Sequence, residues 1–202
     1  MKHIATMALA GILTGCAGMP GSHEPPHYDY NQQAIIAPGY PVERVDQPAG
    51  YTYAAIESTS ASKEYSKAWD SGSGRMSDYG VGWNSDEGGT SVVVALFRSV
   101  DPQSYMFPLE DTDGFEFIDG NRVQYAFQEG RYRDVVGNAP DLIPGNAPGC
   151  AHGVYLVATS SDARRRFIGT LSDGLPCDEL GQVTSLDREQ QLDRAFRLMG
   201  LR

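Results

Sequence analysis

The sequence predicts an α+β domain, mostly antiparallel sheet, with a C-terminal amphipathic helix. Three observations carry this. Val92-Val93-Val94-Ala95-Leu96-Phe97 is a continuous, largely β-branched run bounded by turn residues, the pattern of a strand covered on both faces. Two hairpin signals follow it, around Asp119-Gly120-Asn121 and around Ser160-Ser161-Asp162. One stretch alone, Ser185–Met199, repeats its apolar residues at helical spacing. About 150 residues lie beyond residue 50, enough for one core and short of two.

Taken in order, Tyr51–Glu57 alternates aromatic and small residues and predicts a first strand. Ser62–Trp69 predicts one or two helical turns, with Ser62 as N-cap. Gly72, Gly74, Gly80, Gly82, Gly88 and Gly89 predict a loop-rich section before the 91–98 strand. Phe115-Glu116-Phe117 and Val123–Phe127 predict a hairpin with both phenylalanines, Val123 and Tyr125 on one buried face. Arg131–Val136 reads as a weaker strand after Glu129-Gly130, and 138–149 as a Pro/Gly loop. Gly153–Ala158 and Arg165–Leu171 predict a second hairpin. The final helix has Thr184 or Ser185 as cap, acids in its first turn and arginines in its last. Leu192, Ala195, Phe196 and Met199 form its stripe, and Gly200 ends it. No internal repeat is present.

The N-terminal quarter has a different composition. Residues 17–50 hold Pro20, Pro25, Pro26, Pro38, Pro41 and Pro48, half of the 12 prolines, and show no helical or strand period. Proline removes backbone donors and fixes φ, so residues 16–50 are expected to form a disordered tether, ~30–35 Å long on average as a coil. Ala34-Ile35-Ile36-Ala37 is its one apolar run, a candidate for docking on the domain. The domain proper is expected over 51–202.

Ahead of the tether, Lys2 supplies a positive charge and residues 4–13 a short apolar stretch, too short to span a bilayer as a helix. Leu13-Thr14-Gly15-Cys16 then resembles the lipobox of bacterial lipoproteins. That resemblance covers about the first tenth of the chain. It implies a signal peptide over 1–15, removed in the mature protein, and diacylglyceryl and palmitate modification of Cys16. Ala17 follows the cysteine where an aspartate would imply retention, so the resemblance implies the outer membrane and leaves the leaflet open.

Export has consequences for the remaining cysteines. With Cys16 assigned to lipid, Cys150 and Cys177 are left as one pair, and an oxidising compartment predicts a disulfide between them. The rival is a metal site of Cys150, His152 and Cys177, which lacks a fourth ligand of convincing spacing, so no metal is assigned. The chain carries 16 Lys+Arg against 26 Asp+Glu, a net −10. Loss of residues 1–15 removes Lys2 and leaves 15 against 26, a net −11. This balance disfavours nucleic acid and adhesion to anionic lipid.

Catalytic signatures are sparse. His152 is the one histidine beyond the tether, which holds His23 and His27. No G-x-S-x-G elbow occurs, and Cys150 and His152 stand at i and i+2, a poor spacing for a nucleophile–base pair. The run Glu110-Asp111-Thr112-Asp113-Gly114, with Glu116 and Asp119, has oxygens for calcium but lacks the EF-hand pattern, and turn chemistry explains it equally well. Arg164-Arg165-Arg166 reads as a solvated turn edge. Tyr65, Trp69, Tyr79 and Trp83, in polar and glycine-rich surroundings, are the candidate partner-binding aromatics.

The sequence therefore predicts a lipid-anchored envelope protein without catalytic residues or cofactor, acting as an interaction or structural module on a protein or polysaccharide partner. The alternatives are a periplasmic enzyme acting on envelope polymer, and an acidic binding protein or inhibitor for a basic partner. Cys16→Ser should abolish incorporation of labelled fatty acid. Wild-type protein that takes up no label and fractionates as soluble would refute the anchor.

Overall fold

A computed structural model describes residues 24–67, 70–86, 90–100, 112–136 and 142–202; Leu13–Cys16 and Trp69 lie outside them. The fold is mostly antiparallel sheet with a C-terminal helix. Three short strands come first: β1 (His27–Asp29), β2 (Ala34–Ile36) and β3 (Arg44–Asp46), paired in that order. Next are β4 (Tyr51–Lys67), β5 (Asp70–Ser85), β6 (Ser91–Val100), β7 (Gly114–Ile118) and β8 (Asn121–Arg131). A short helix α1 (Tyr132–Val136), β9 (Cys150–Thr159), β10 (Arg165–Leu175) and helix α2 (Ser185–Leu198) complete the chain. β4 to β10 form one sheet in the order β4-β5-β6-β10-β9-β8-β7, antiparallel throughout.

β6 and β10 lie at its centre and are buried on both faces: the neighbours Val92 and Val93 are 1% and 0% exposed. On one face Phe167 pairs with Phe97 and Ala158, and Leu171 with Val93 and Val154. Helix α2 covers one part of this face with Leu192, Ala195, Phe196 and Met199. Met199 comes so close that a Cβ on Gly169 would lie 3.2 Å from its Cε, which explains glycine in mid-strand. The opposite face is covered by Tyr132, Val135 and Val136 of α1 and by Leu142, packed with Val92 and Ala151.

α2 begins as its sequence predicts. The Thr184 hydroxyl accepts from the Asp187 N–H at 3.2 Å, and the Asp187 carboxylate accepts from the Thr184 N–H at 2.8 Å, a capping box. Gly200, at φ +67°, ends it. No helix among the described residues is long and apolar enough to cross a membrane.

The tether prediction needs correction. Residues 27–46 form the β1–β2–β3 sheet, and Ile35 and Val45 are fully buried in the main core. Tyr40 sits edge-on to Phe97 at 5.4 Å. The prolines fall outside these three strands, so they do not interrupt their ladders. What reads as a tether to residue 50 is therefore a cover of the sheet from Glu24 onward.

Four local readings also change. The expected helix at 62–69 is strand as far as Lys67, and the expected glycine loop is β5; their ladder runs from Tyr51↔Ser85 to Lys67↔Asp70. Pairing along the ladder overrides a weak helical pattern in a serine-rich segment. β8 continues to Arg131, and Tyr132–Val136 is helix rather than strand. Arg166 is 4% exposed and its Nε donates to Thr159 Oγ1 at 3.2 Å, so Arg164–Arg166 is not uniformly a solvated edge.

The phenylalanine face is reversed: Phe115 and Phe117 are 50% and 72% exposed. The turn holds two residues, Asp119 and Gly120, both at positive φ, so Ile118 pairs with Asn121 and Glu116 with Val123. The three-residue turn that the sequence suggested would have paired Phe117 with Val123. One residue of register exchanges the faces.

The β9–β10 hairpin is as expected, with Leu175 opposite Cys150. Cys177, two residues on, closes the disulfide to Cys150 across a Cα–Cα distance of 5.0 Å. Unreduced, denatured protein should show no alkylatable thiol at either position, by mass spectrometry. The Cys150→Ser/Cys177→Ser variant should lose about 3 kcal/mol in urea denaturation. A labelled thiol in unreduced wild type would refute the pairing.

Candidate functional site

Two groupings of side chains stand apart from the apolar core. The first is a tyrosine cluster. The turn 30–33 between β1 and β2 is held by Asp29, which accepts the N–H of Asn31 at 2.8 Å, that of Gln32 at 3.1 Å and the Gln32 side-chain amide at 2.7 Å. These bonds hold the Asp29 carboxyl below its ordinary range, the Gln32 N–H most of all. The turn carries Tyr30, 69% exposed.

Tyr28, buried on β1, meets Tyr30 edge-on at 5.0 Å and Tyr53 of β4 at 5.4 Å. Tyr30 and Tyr53 are 6.3 Å apart. Tyr79 of β5 lies near the Tyr28 backbone and Tyr30. The Tyr28 hydroxyl donates to Gln47 Oε1 at 3.1 Å, and Gln47 Nε2 donates to the Tyr51 carbonyl at 2.8 Å, which straps β1 to β4. Partial burial, then the neighbouring tyrosines, pushes Tyr53 up. Tyr79 also moves up, from burial first, so both hydroxyls stay protonated at neutral pH.

Beyond the cluster, β4 and β5 continue as a two-stranded ribbon. β5 pairs with β6 only from Met76 to Asn84, whereas β4 and β5 remain paired to Lys67↔Asp70. About 20 Å of two-stranded ladder thus extends past the last β5–β6 pair. Tyr65 stands opposite Gly72 on this ribbon.

The second grouping is a polar row across four strands. Glu129, His152, Asp173 and Ser91 are successive cross-strand partners on β8, β9, β10 and β6. Helix α2 lays Arg188, Gln191 and Arg194, three residues apart and on one side, along this row. Arg188 Nη2 meets Glu129 Oε1 at 2.6 Å. Gln191 Nε2 donates to the His152 carbonyl at 3.1 Å and to Asp173 Oδ2 at 2.7 Å. Arg194 and the Ser91 hydroxyl donate to the same carboxylate. Burial pushes the Asp173 carboxyl up, but Arg194, Ser91 and Gln191 together outweigh it and hold it below the usual range.

His152 Nε2 lies 3.9 Å from Asp173 Oδ2. In a nucleophile–His–Asp relay the other ring nitrogen meets the nucleophile. Here Nδ1 is buried with no hydrogen-bond partner among the described residues, Ser91 binds the carboxylate directly, and Cys150 is in the disulfide. The row locks α2 to the sheet; it does not present an activated nucleophile.

The sequence-predicted aromatics separate. Tyr79 joins the cluster. Trp83 is fully buried in the core and is no surface residue, a correction that follows from its place on the covered face of β5. Tyr28, Tyr30 and Tyr53 were missed because two of them lie in what reads as a tether. The acidic residues described within 110–119 serve the hairpin. Asp113 accepts the Phe127 N–H at 2.7 Å, Glu116 pairs with Arg202, and Asp119 forms the turn. Among the described residues no three His, Cys, Asp or Glu side chains are grouped to hold a metal. The chain matches no protein-family model, no curated protein and no solved structure.

Asp173→Asn should destabilise the fold by about 1–3 kcal/mol at pH 7, since it leaves a half-exposed Arg194 without its counter-charge. The lowered carboxyl contributes stability above its unfolded pKa and loses it as pH falls through the folded value. Wild type's advantage should therefore be full above about pH 5 and shrink as pH falls below about 4. Urea melts from pH 7 down to pH 2 check this; a gap that does not narrow at all below pH 4 would refute it.

Proposed function

We propose that this chain is a lipid-anchored protein of the bacterial cell envelope that acts as a non-enzymatic binding module. The observation that carries the reading is Tyr30, a largely exposed residue held in place by a tyrosine cluster. Rigid, half-polar aromatics supply contact area at low entropic cost, which suits recognition. The lipobox-like Leu13–Cys16 supports the anchor, and the acidic balance supports a partner other than nucleic acid.

The distance from lipid follows from the fold. Seven residues, 17–23, separate Cys16 from Glu24, where the described chain begins, so the eight steps between them reach at most about 28 Å. That is far less than a 34-residue tether allows, and it holds the module close to the headgroups. An enzyme acting on envelope polymer is the second reading, favoured by the proximity of His152 and Asp173.

His152→Ala, in protein shown to be folded by circular dichroism, should leave the cellular phenotype intact. Replacing the lipobox by an ordinary secretory signal, with Cys16→Ser, should remove the phenotype, because position is part of the function. The reverse pattern would favour the enzyme.

A further inference from the structure

We infer that the tyrosine cluster is a binding site for an uncharged linear polysaccharide, with Tyr30 as the stacking ring. This rests on the binding-module reading and names its ligand class.

The ring is presented for stacking. Tyr28 meets it edge-on at 5.0 Å and Tyr53 lies 6.3 Å away, so the cluster fixes it while 69% of the residue remains open. A pyranose ring offers a face of C–H groups to such a surface and hydroxyls around its edge. The phenolic hydroxyls of the cluster and the exposed Asn31 beside Tyr30 are neutral donors and acceptors suited to that edge.

The charged groups described near the turn already have partners within the protein. Asp29 accepts three N–H groups, and Arg44 lies 2.6 Å from Asp46 while donating to Gln32 Oε1 at 2.6 Å. Among the described residues of the turn, the one cation, Arg44, is paired and the oxygens of Asp29 are occupied, so neither is left to select an ionic ligand, and a protein of net −10 repels polyanions. A protein interface is built on several clustered anchors, and Tyr30 stands alone in this respect: the other exposed large hydrophobics among the described residues are Phe115, Phe117 and Leu186, none of them in the cluster. A convex turn also suits a chain passing over it better than a small molecule, which requires a concavity.

The test uses the full-length protein in a detergent without a sugar headgroup. The probes are the β-1,4-linked hexaoses of glucose and of N-acetylglucosamine, and oligogalacturonate as an anionic control, with binding read by calorimetry. At least one neutral hexaose should bind, and the anion at least about tenfold more weakly. Tyr30→Ala should weaken binding about tenfold or more, Tyr30→Phe by no more than about threefold, and Leu186→Ala not at all. Absence of binding to both hexaoses, or equal binding by Tyr30→Ala, overturns the proposal. If neither hexaose binds but an envelope protein is cross-linked by wild type and lost in Tyr30→Ala, the sugar assignment falls and the module stands. If a hexaose binds while the phenotype depends on His152 and not on the anchor, the module reading falls and the sugar site stands.

Discussion

A sheet whose central strands are apolar on both sides must be covered twice, and much of this structure is an answer to that requirement. β6 and β10 carry large apolar side chains to both faces, and each exposed face would leave that surface in water at roughly 25 cal/mol per Å². α1 and Leu142 cover one side. α2 covers only part of the other. The remainder is covered by β1, β2 and β3, whose Ile35, Tyr40 and Val45 enter the same core as Phe97 and Phe167. A proline-rich stretch thus becomes structural because an apolar surface lies beneath it.

The helix that covers the same face is held by two different kinds of contact. Its apolar stripe, Leu192 to Met199, supplies burial without direction. Its polar stripe, Arg188, Gln191 and Arg194, meets Glu129, His152 and Asp173 at fixed positions along the strands. A buried ion pair adds little net stability, but a mismatched one costs several kcal/mol. The row therefore selects one placement of α2 among those that burial alone would allow. The disulfide at the end of the β9–β10 hairpin fastens the same end of the sheet.

The tyrosine cluster follows from the cover on the other part of that face. Strapping β1 to β4 through Tyr28, Gln47 and Tyr51 places the β1–β2 turn beside Tyr53 near the start of β4. Tyr30 then projects from a turn made rigid by Asp29. Position and rigidity come from packing that serves the core, while the exposed ring contributes nothing to it.

Where a pattern is local and unopposed, the residues alone were sufficient. The run at 92–97, a cap at Thr184 or Ser185, the stripe on α2, and the pairing of the 153–158 and 165–171 strands were all legible, because each is dictated by periodicity or by groups within a few residues. The serine-rich β4, the glycine-rich β5 and the strands at 27–46 were not, because their ladders are completed by partners elsewhere in the chain. The hairpin at 114–131 lies between these cases: its existence was evident, but its register turned on whether Asn121 belonged to the turn. The site was the least legible of all. Tyr28, Tyr30, Tyr53 and Tyr79 are brought together by two sheets packing on one another, and no spacing along the chain encodes that contact.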